Sequence, residues 1–191
     1  YRRSHTAFAG ALGSGVVMGG FWGLGAIYAL AQTNDPSFVP MFIAANIIGG
    51  ALAQYPIGMA SDRIDRRYVL ATLCAASGIS AFGLLIADTR DALLLGAFAF
   101  GAFANSLYAV SLAKAADNSK SEEFVTIGSS VLLLNALGSA SSALVIGWVM
   151  RSLGDGALFG FLGVASLITG VFIILQPPGR TAVTIEEQGT F

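Results

Sequence analysis

The sequence predicts an all-α membrane protein built from six transmembrane helices. Three observations carry that expectation. Of the 191 residues, 55% are hydrophobic and only 11% are charged, where a soluble domain normally carries roughly 25% charged residues. The apolar residues gather into runs close to the roughly 20 residues that a helix rising 1.5 Å per residue needs to cross a bilayer. The basic residues fall almost wholly on alternate connections between those runs.

The runs span about 7–31, 40–61, 68–87, 91–116, 123–150 and 156–175. Lipid offers no partner to backbone N–H and C=O groups, so each run must satisfy its own and form a helix. None shows the ten-residue alternation of a membrane strand. The first run places Gly15, Gly19 and Gly23 on one face, a tandem GxxxG of the kind that lets two helices approach closely. Ala45, Gly49 and Ala53 repeat that spacing in the second run. The third holds Cys74, the single cysteine, which packs as a small hydrophobe. The fourth carries Ala97 and Gly101, and the fifth the small-residue stretch Gly138-Ser139-Ala140-Ser141-Ser142. Ordinary bundle packing explains these residues, and so do sliding contacts in a moving bundle. The sixth run ends at Gln176-Pro177-Pro178-Gly179, where two prolines stop a helix.

Charge sets the orientation. Arg2, Arg3, Arg63, Arg66, Arg67, Lys114, Lys120 and Arg180 fall on one side, and only Arg90 and Arg151 on the other. By the positive-inside rule both termini and the loop at Asp62–Arg67 face the cytoplasm. The external connections, Thr33-Asn34-Asp35-Pro36, Asp88-Thr89-Arg90 and Leu153-Gly154-Asp155-Gly156, are short and turn-like. The tail, residues 177–191, is polar and expected to be mobile. Tyr1 reads as a cut within a longer chain.

Several functions are excluded. A net charge of −1 implies no nucleic-acid partner. One histidine and one cysteine build neither a zinc cluster nor a catalytic triad, and there is no nucleotide loop, so neither an enzyme, a metal nor a cofactor is expected. No acidic or basic residue lies in the middle of a run. The polar residues at depth are neutral: Asn46, Asn105, Tyr108 and Asn135. Helical spacing aligns Asn46 with Gly50, Ala53 and Ile57, Asn105 with Gly101, Tyr108 and Leu112, and Asn135 with Gly128, Gly138 and Ser142. Two readings stay open for the asparagines: hydrogen bonds between helices, or the lining of a substrate cavity. Tyr28 and Trp148 read as interfacial belt residues; the deeper Trp22 is a further cavity candidate.

The segment Gly58-Met59-Ala60-Ser61-Asp62-Arg63-Ile64-Asp65-Arg66-Arg67 resembles the signature loop of the major facilitator superfamily, G-x-x-x-D-[RK]-x-G-[RK]-[RK]. It departs at Asp65, where the pattern has glycine; aspartate tolerates a left-handed backbone, so the turn is expected to survive. The loop and the segment 105–148 are similar to the C-terminal half of the YcaD-like branch of that family. The resemblance implies that residues 1–176 form a half-domain, helices 7–12 of a twelve-helix bundle. It further implies a multi-pass protein of the plasma (bacterial inner) membrane that moves a small-molecule substrate by alternating access. An N-terminal six-helix half is then the missing partner, and the third and sixth helices are peripheral. The loop becomes a cytoplasmic gate motif: Gly58, Asp62, Arg63, Arg66, Arg67 and Asp117. In it Asp62 accepts hydrogen bonds from the start of the fifth helix, itself capped by Ser119-x-x-Glu122, and Arg66 pairs with Asp117. The competing reading is a non-transporting six-helix membrane module serving as an assembly or stabilising subunit.

Overall fold

In a computed structural model, residues 5–117 and 124–176 are described, and every regular element among them is helical. The helices are α1 (His5–Thr33), α2 (Phe38–Arg63), α3 (Arg66–Leu85), α4 (Arg90–Asp117), α5 (Phe124–Leu153) and α6 (Ala157–Leu175). Each is long and apolar enough to cross a membrane. Turn chemistry sets the external ends. Asn34 takes a left-handed backbone (φ 51°), which asparagine tolerates, and so does Gly154 (φ 89°), which glycine adopts freely. Asp35 accepts from both the backbone N–H and the hydroxyl of Ser37 and pairs with Arg90 at 2.9 Å, tying the α1–α2 turn to the start of α4. Those bonds hold its carboxyl below the usual range.

The closest helix pairs are α1 with α5, α2 with α4, and α3 with α6. Two of them are joined by the same clasp. A Cβ on Gly49 of α2 would strike the Phe98 carbonyl of α4, and one on Gly101 of α4 would strike the Asn46 carbonyl of α2. Likewise a Cβ on Gly138 of α5 would strike the Leu12 carbonyl of α1, and one on Gly15 would strike the Asn135 carbonyl. Asn46 donates to the Ala97 carbonyl at 3.4 Å, and Asn135 to the Ala11 carbonyl at 3.3 Å. So Asn46-x-x-Gly49 grips Ala97-x-x-x-Gly101 as Asn135-x-x-Gly138 grips Ala11-x-x-x-Gly15. The third pair obeys the same exchange: Gly78 of α3 faces the Gly163 carbonyl, and Gly170 of α6 faces the Ala71 carbonyl. Exchanging α1, α2, α3 for α4, α5, α6 therefore maps the packing onto itself. An odd number of crossings separates the partners, so the two three-helix repeats run in opposite directions through the membrane.

Tyr28, Phe38 and Phe42 with Phe21, Phe100 and Phe159 form an aromatic cluster toward the end of the bundle opposite the Asp62–Arg67 loop. Tyr28 is a correction to the belt assignment. It is buried, its ring lies 4.7 Å from that of Phe159, and its hydroxyl donates to the Leu84 carbonyl at 2.6 Å. A phenol placed near the boundary can turn inward when a helix end leaves it a carbonyl to reach. Trp148 is 71% exposed, as a residue facing lipid would be.

Candidate functional site: a bolted charged loop and an open groove

The loop between α2 and α3 is short because Asp65 starts α3 at once. Its side chain accepts from the Arg67 backbone N–H at 2.9 Å, capping the helix. Asp65 has φ −53°, so the left-handed turn expected there is absent. The residue earns its place differently: the same carboxylate oxygen takes the Lys114 ammonium of α4 at 3.0 Å. Lys114 is 8% exposed, and a desolvated ammonium needs such a partner. Burial pushes the Asp65 carboxyl up, but the Arg67 N–H and the Lys114 bond and charge outweigh it and hold the group below the usual carboxylate range.

Arg66 is the hub beside it. It donates to Asp117 of α4 at 2.7 Å, to the Ser61 hydroxyl at 3.1 Å and to Asp62 at 3.1 Å. The loop is thus fastened to α4 by two ion pairs of opposite polarity. Arg67 is buried and donates to the last carbonyls of α6, Ile173 at 3.1 Å and Ile174, at the negative end of that helix. Asp62 is 70% exposed and meets Arg66 one turn on. Its expected bond to the start of α5, and the Ser119-x-x-Glu122 cap, fall outside the described residues. Arg63 is exposed, and a Cβ on Gly58 would meet nothing within 4 Å.

The three asparagines do not converge. Asn46 is fully buried between α2 and α4 and accepts at its side-chain oxygen and its carbonyl from Asn105 at 3.4 and 3.3 Å. Asn135 lies across the bundle between α5 and α1, donating to the Ser14 hydroxyl at 2.9 Å. Asn46, Asn105 and Asn135 each bond a neighbouring helix, while the buried side-chain oxygen of Asn105 has no donor among the described residues. The other two candidates are placed differently. Among the described residues α2 and α5 make at most marginal contact and stand on either side of α1 and α4, leaving a groove floored by the latter pair. Trp22 of α1 is 50% exposed, and Tyr108 of α4 is partly exposed. Trp22 stands seven residues beyond Gly15 and Tyr108 seven beyond Gly101, so they occupy matching positions of the two repeats.

The family model of the major facilitator superfamily matches residues 8–190. The chain belongs to the major facilitator superfamily. Relatives at 25% identity over 94% of this chain are the uncharacterized MFS-type transporters YcaD of Salmonella arizonae, Salmonella paratyphi B and Salmonella newport. The chain covers 46% of each, about half their length. As a superfamily member with six membrane-length helices it is a multi-pass membrane protein.

Sequence reasoning missed three features of this superfamily half. Lys114 was visible only as a helix-end charge, since nothing in the pattern says that Asp65 faces it. The role of Arg67 on α6 depends on tertiary packing across most of the chain. The repeat itself had a signal, the recurrence of N-x-x-G and A-x-x-x-G, that spacing within single helices did not bring out.

Proposed function

We propose that this chain supplies the C-terminal half of a secondary transporter that carries a small solute across the bacterial inner membrane by alternating access. The observation that carries the reading is the groove: two inverted repeats, each clasped tightly within the half, leave one polar-tipped aromatic floor open between α2 and α5. Two such halves facing each other form the architecture in which rocking one half against the other exposes a site between them to one side and then the other. Relatives about twice as long support a second half as the partner that covers the groove. The open space beside Gly58 suits close approach of that partner.

On this reading the Asp62–Arg67 end is cytoplasmic. Its bonds to α4 and α6 hold α2, α3, α4 and α6 together there as one body. The gate contacts that break are then those of Asp62 and Arg63, the exposed members, with the start of α5 or with the other half. The cavity residues are Trp22 and Tyr108, with Asn46, Asn105 and Asn135 acting through helix placement.

The test is transport by the full-length gene product in proteoliposomes, with a panel of labelled small solutes and counterflow as the readout. Saturable counterflow of one solute, reduced by replacing Tyr108 with Ala, is expected. A folded protein that moves none of the panel, and whose co-purifying partners depend on it for assembly, would favour the module reading. Orientation is checked by an impermeant maleimide on intact cells: a cysteine at Gly154 is expected to react and one at Ile64 to stay protected.

A further inference from the structure

We infer that the strip of α2 from Gly50 to Pro56 bows on and off α4, and that Asn105 is the residue that drives it off. The starting point is one atom. The Asn105 side-chain oxygen is buried and has no donor among the described residues. A sealed acceptor without a partner forfeits the bonds water would give it, so the packing that seals it is raised in energy. Turning an amide over brings no relief. A reversed Asn105 would set its oxygen against the carbonyl and side-chain oxygen of Asn46, which its nitrogen now reaches at 3.3 and 3.4 Å. A reversed Asn46 would set its oxygen against the Ala97 carbonyl, now 3.4 Å from its nitrogen. All three bonds are long beside the usual 2.9–3.0 Å. The α1–α5 seam is better satisfied: Asn135 meets the Ser14 hydroxyl at 2.9 Å, and the Ser142 hydroxyl meets the Val16 carbonyl at 2.6 Å. The load therefore sits on the α2–α4 seam.

The fold allows the strip to move between two fixed points. On one side of Asn105 the backbones of Gly49 and Gly101 clasp α2 to α4. On the other, Arg66 joins Ser61 and Asp62 of α2 to Asp117 of α4. Between these points lies Pro56, inside α2. It offers no N–H to the Leu52 carbonyl, which is where a helix bends. Gly58 follows, and a Cβ on it would meet nothing within 4 Å. Gly50 is what lets the strip close, since a Cβ there would strike the Asn105 amide. Asn105 is itself partly exposed, so a small outward bow is enough to wet its oxygen. The closed form gains packing and the bowed form gains hydration, which keeps the two close in energy. The exchange rests on packing alone and holds whether or not the protein moves a solute.

The experiment reads the bowed fraction as a labelling rate. A cysteine replaces Ala53, on the stripe of Asn46 and Gly50, in full-length protein in nanodiscs with the native cysteines replaced. Its reaction with a methanethiosulfonate is timed in the otherwise wild-type protein and in two paired variants, Asn46→Val/Asn105→Val and Asn46→Ala/Asn105→Ala. Thermal midpoints confirm that each is folded. Removing both amides leaves nothing stranded in the seam, so labelling is expected to slow about fivefold or more. Pro56→Ala, which restores the missing N–H, is expected to slow it as well. The alanine pair cannot clash with Gly50 or Gly101, so the test stands even where the valine pair fails to fold. If the asparagines only hold the seam together, removing both speeds labelling, and that result overturns the inference. Rates unchanged in the paired variants overturn it too.

Discussion

The two clasps are alike in backbone and unlike in what fills them. Between α2 and α4, Asn46 is fully buried and shares its oxygen and its carbonyl with Asn105. Between α1 and α5, the position matching Asn105 is Gly19, and Asn135 finds its second partner in the Ser14 hydroxyl within α1. The adjoining ends differ more. The α2–α3 connection carries Asp62 to Arg67 and is bonded to two other helices; the matching α5–α6 connection is a bare turn around Gly154. The repeat is therefore kept where backbones touch and abandoned where charge is displayed. Packing constrains both copies equally, and whatever the charged loop does, the bundle needs it at one copy only.

The glycines break the comparison most forcefully. Gly49→Ala, Gly101→Ala, Gly15→Ala and Gly138→Ala each drive a methyl into a facing backbone, which cannot rotate away as a side chain can. Each is expected to cost about 1–3 kcal/mol or more, read as a lower thermal midpoint in detergent. Gly83→Ala and Gly128→Ala meet nothing within 4 Å, and helix propensity makes them neutral or stabilising by up to about 1 kcal/mol. Equal losses at both sets would mean the clasps are not the tight contacts.

The asparagines sharpen the asymmetry. Asn46→Ala removes the fully buried bond to the Ala97 carbonyl and one of the two acceptors of the Asn105 amide, leaving it only the residue-46 carbonyl, whereas Asn135→Ala removes a partly buried side chain and leaves Ser14 able to bond the Ala11 carbonyl at 2.9 Å. Hydrogen bonds between membrane helices average about 0.6 kcal/mol and reach about 1.7 kcal/mol. Asn46→Ala is expected near the upper figure and Asn135→Ala near the lower, by denaturant titration. A reversed order would undo the distinction between the two clasps.

How much of this was legible in the sequence follows from the solvent. Length, hydropathy and charge alternation showed six helices, because crossing hydrocarbon constrains every residue of a span. Which face of a span is buried was not legible, since lipid and protein interior are equally apolar. Tyr28 illustrates the failure: nothing in its neighbourhood distinguishes a belt residue from one bonded to the Leu84 carbonyl. The charged loop was legible as a cluster, Arg66 and Asp117 included. Its geometry was not, because a turn with glycine in the family pattern gives no hint that aspartate serves as a helix cap and a partner for Lys114.

The Asp65–Lys114 pair has no counterpart at the α5–α6 turn, so removing it should bring the two connections closer together. Lys114→Met is expected to cost about 1 kcal/mol, with Asp65 still holding the Arg67 N–H. Asp65→Gly, which restores the family residue, loses cap and pair together. The pH dependence has a definite sign. The Asp65 pKa is lowered in the folded protein, so its contribution is present above the unfolded value and fades as pH falls through the lowered folded one. Wild type should therefore lose stability below about pH 4 more steeply than Asp65→Gly. Parallel melting curves down to pH 3 would show that the pair contributes nothing.

Asp62 is the smallest effect on stability and the most informative about action. It is 70% exposed and bonded one turn along to Arg66, an arrangement worth about 0.3–0.5 kcal/mol. Asp62→Asn should leave the melting curve almost unmoved, while Arg66, a hub for three partners, should not tolerate loss so lightly. If Asp62 closes the cytoplasmic side, a small energy is enough, because a two-state balance shifts tenfold for about 1.4 kcal/mol. The readout is the labelling rate of a cysteine placed at Tyr108, partly exposed on the groove side of α4, on a background where the native Cys74 is buried and silent. Asp62→Asn is expected to raise that rate from the cytoplasmic side, with the equivalent change at Arg151, the residue at the matching end of α5, doing nothing. Identical rates for Asp62→Asn and wild type would leave the loop a bolt and an anchor, and move the gate to the other half.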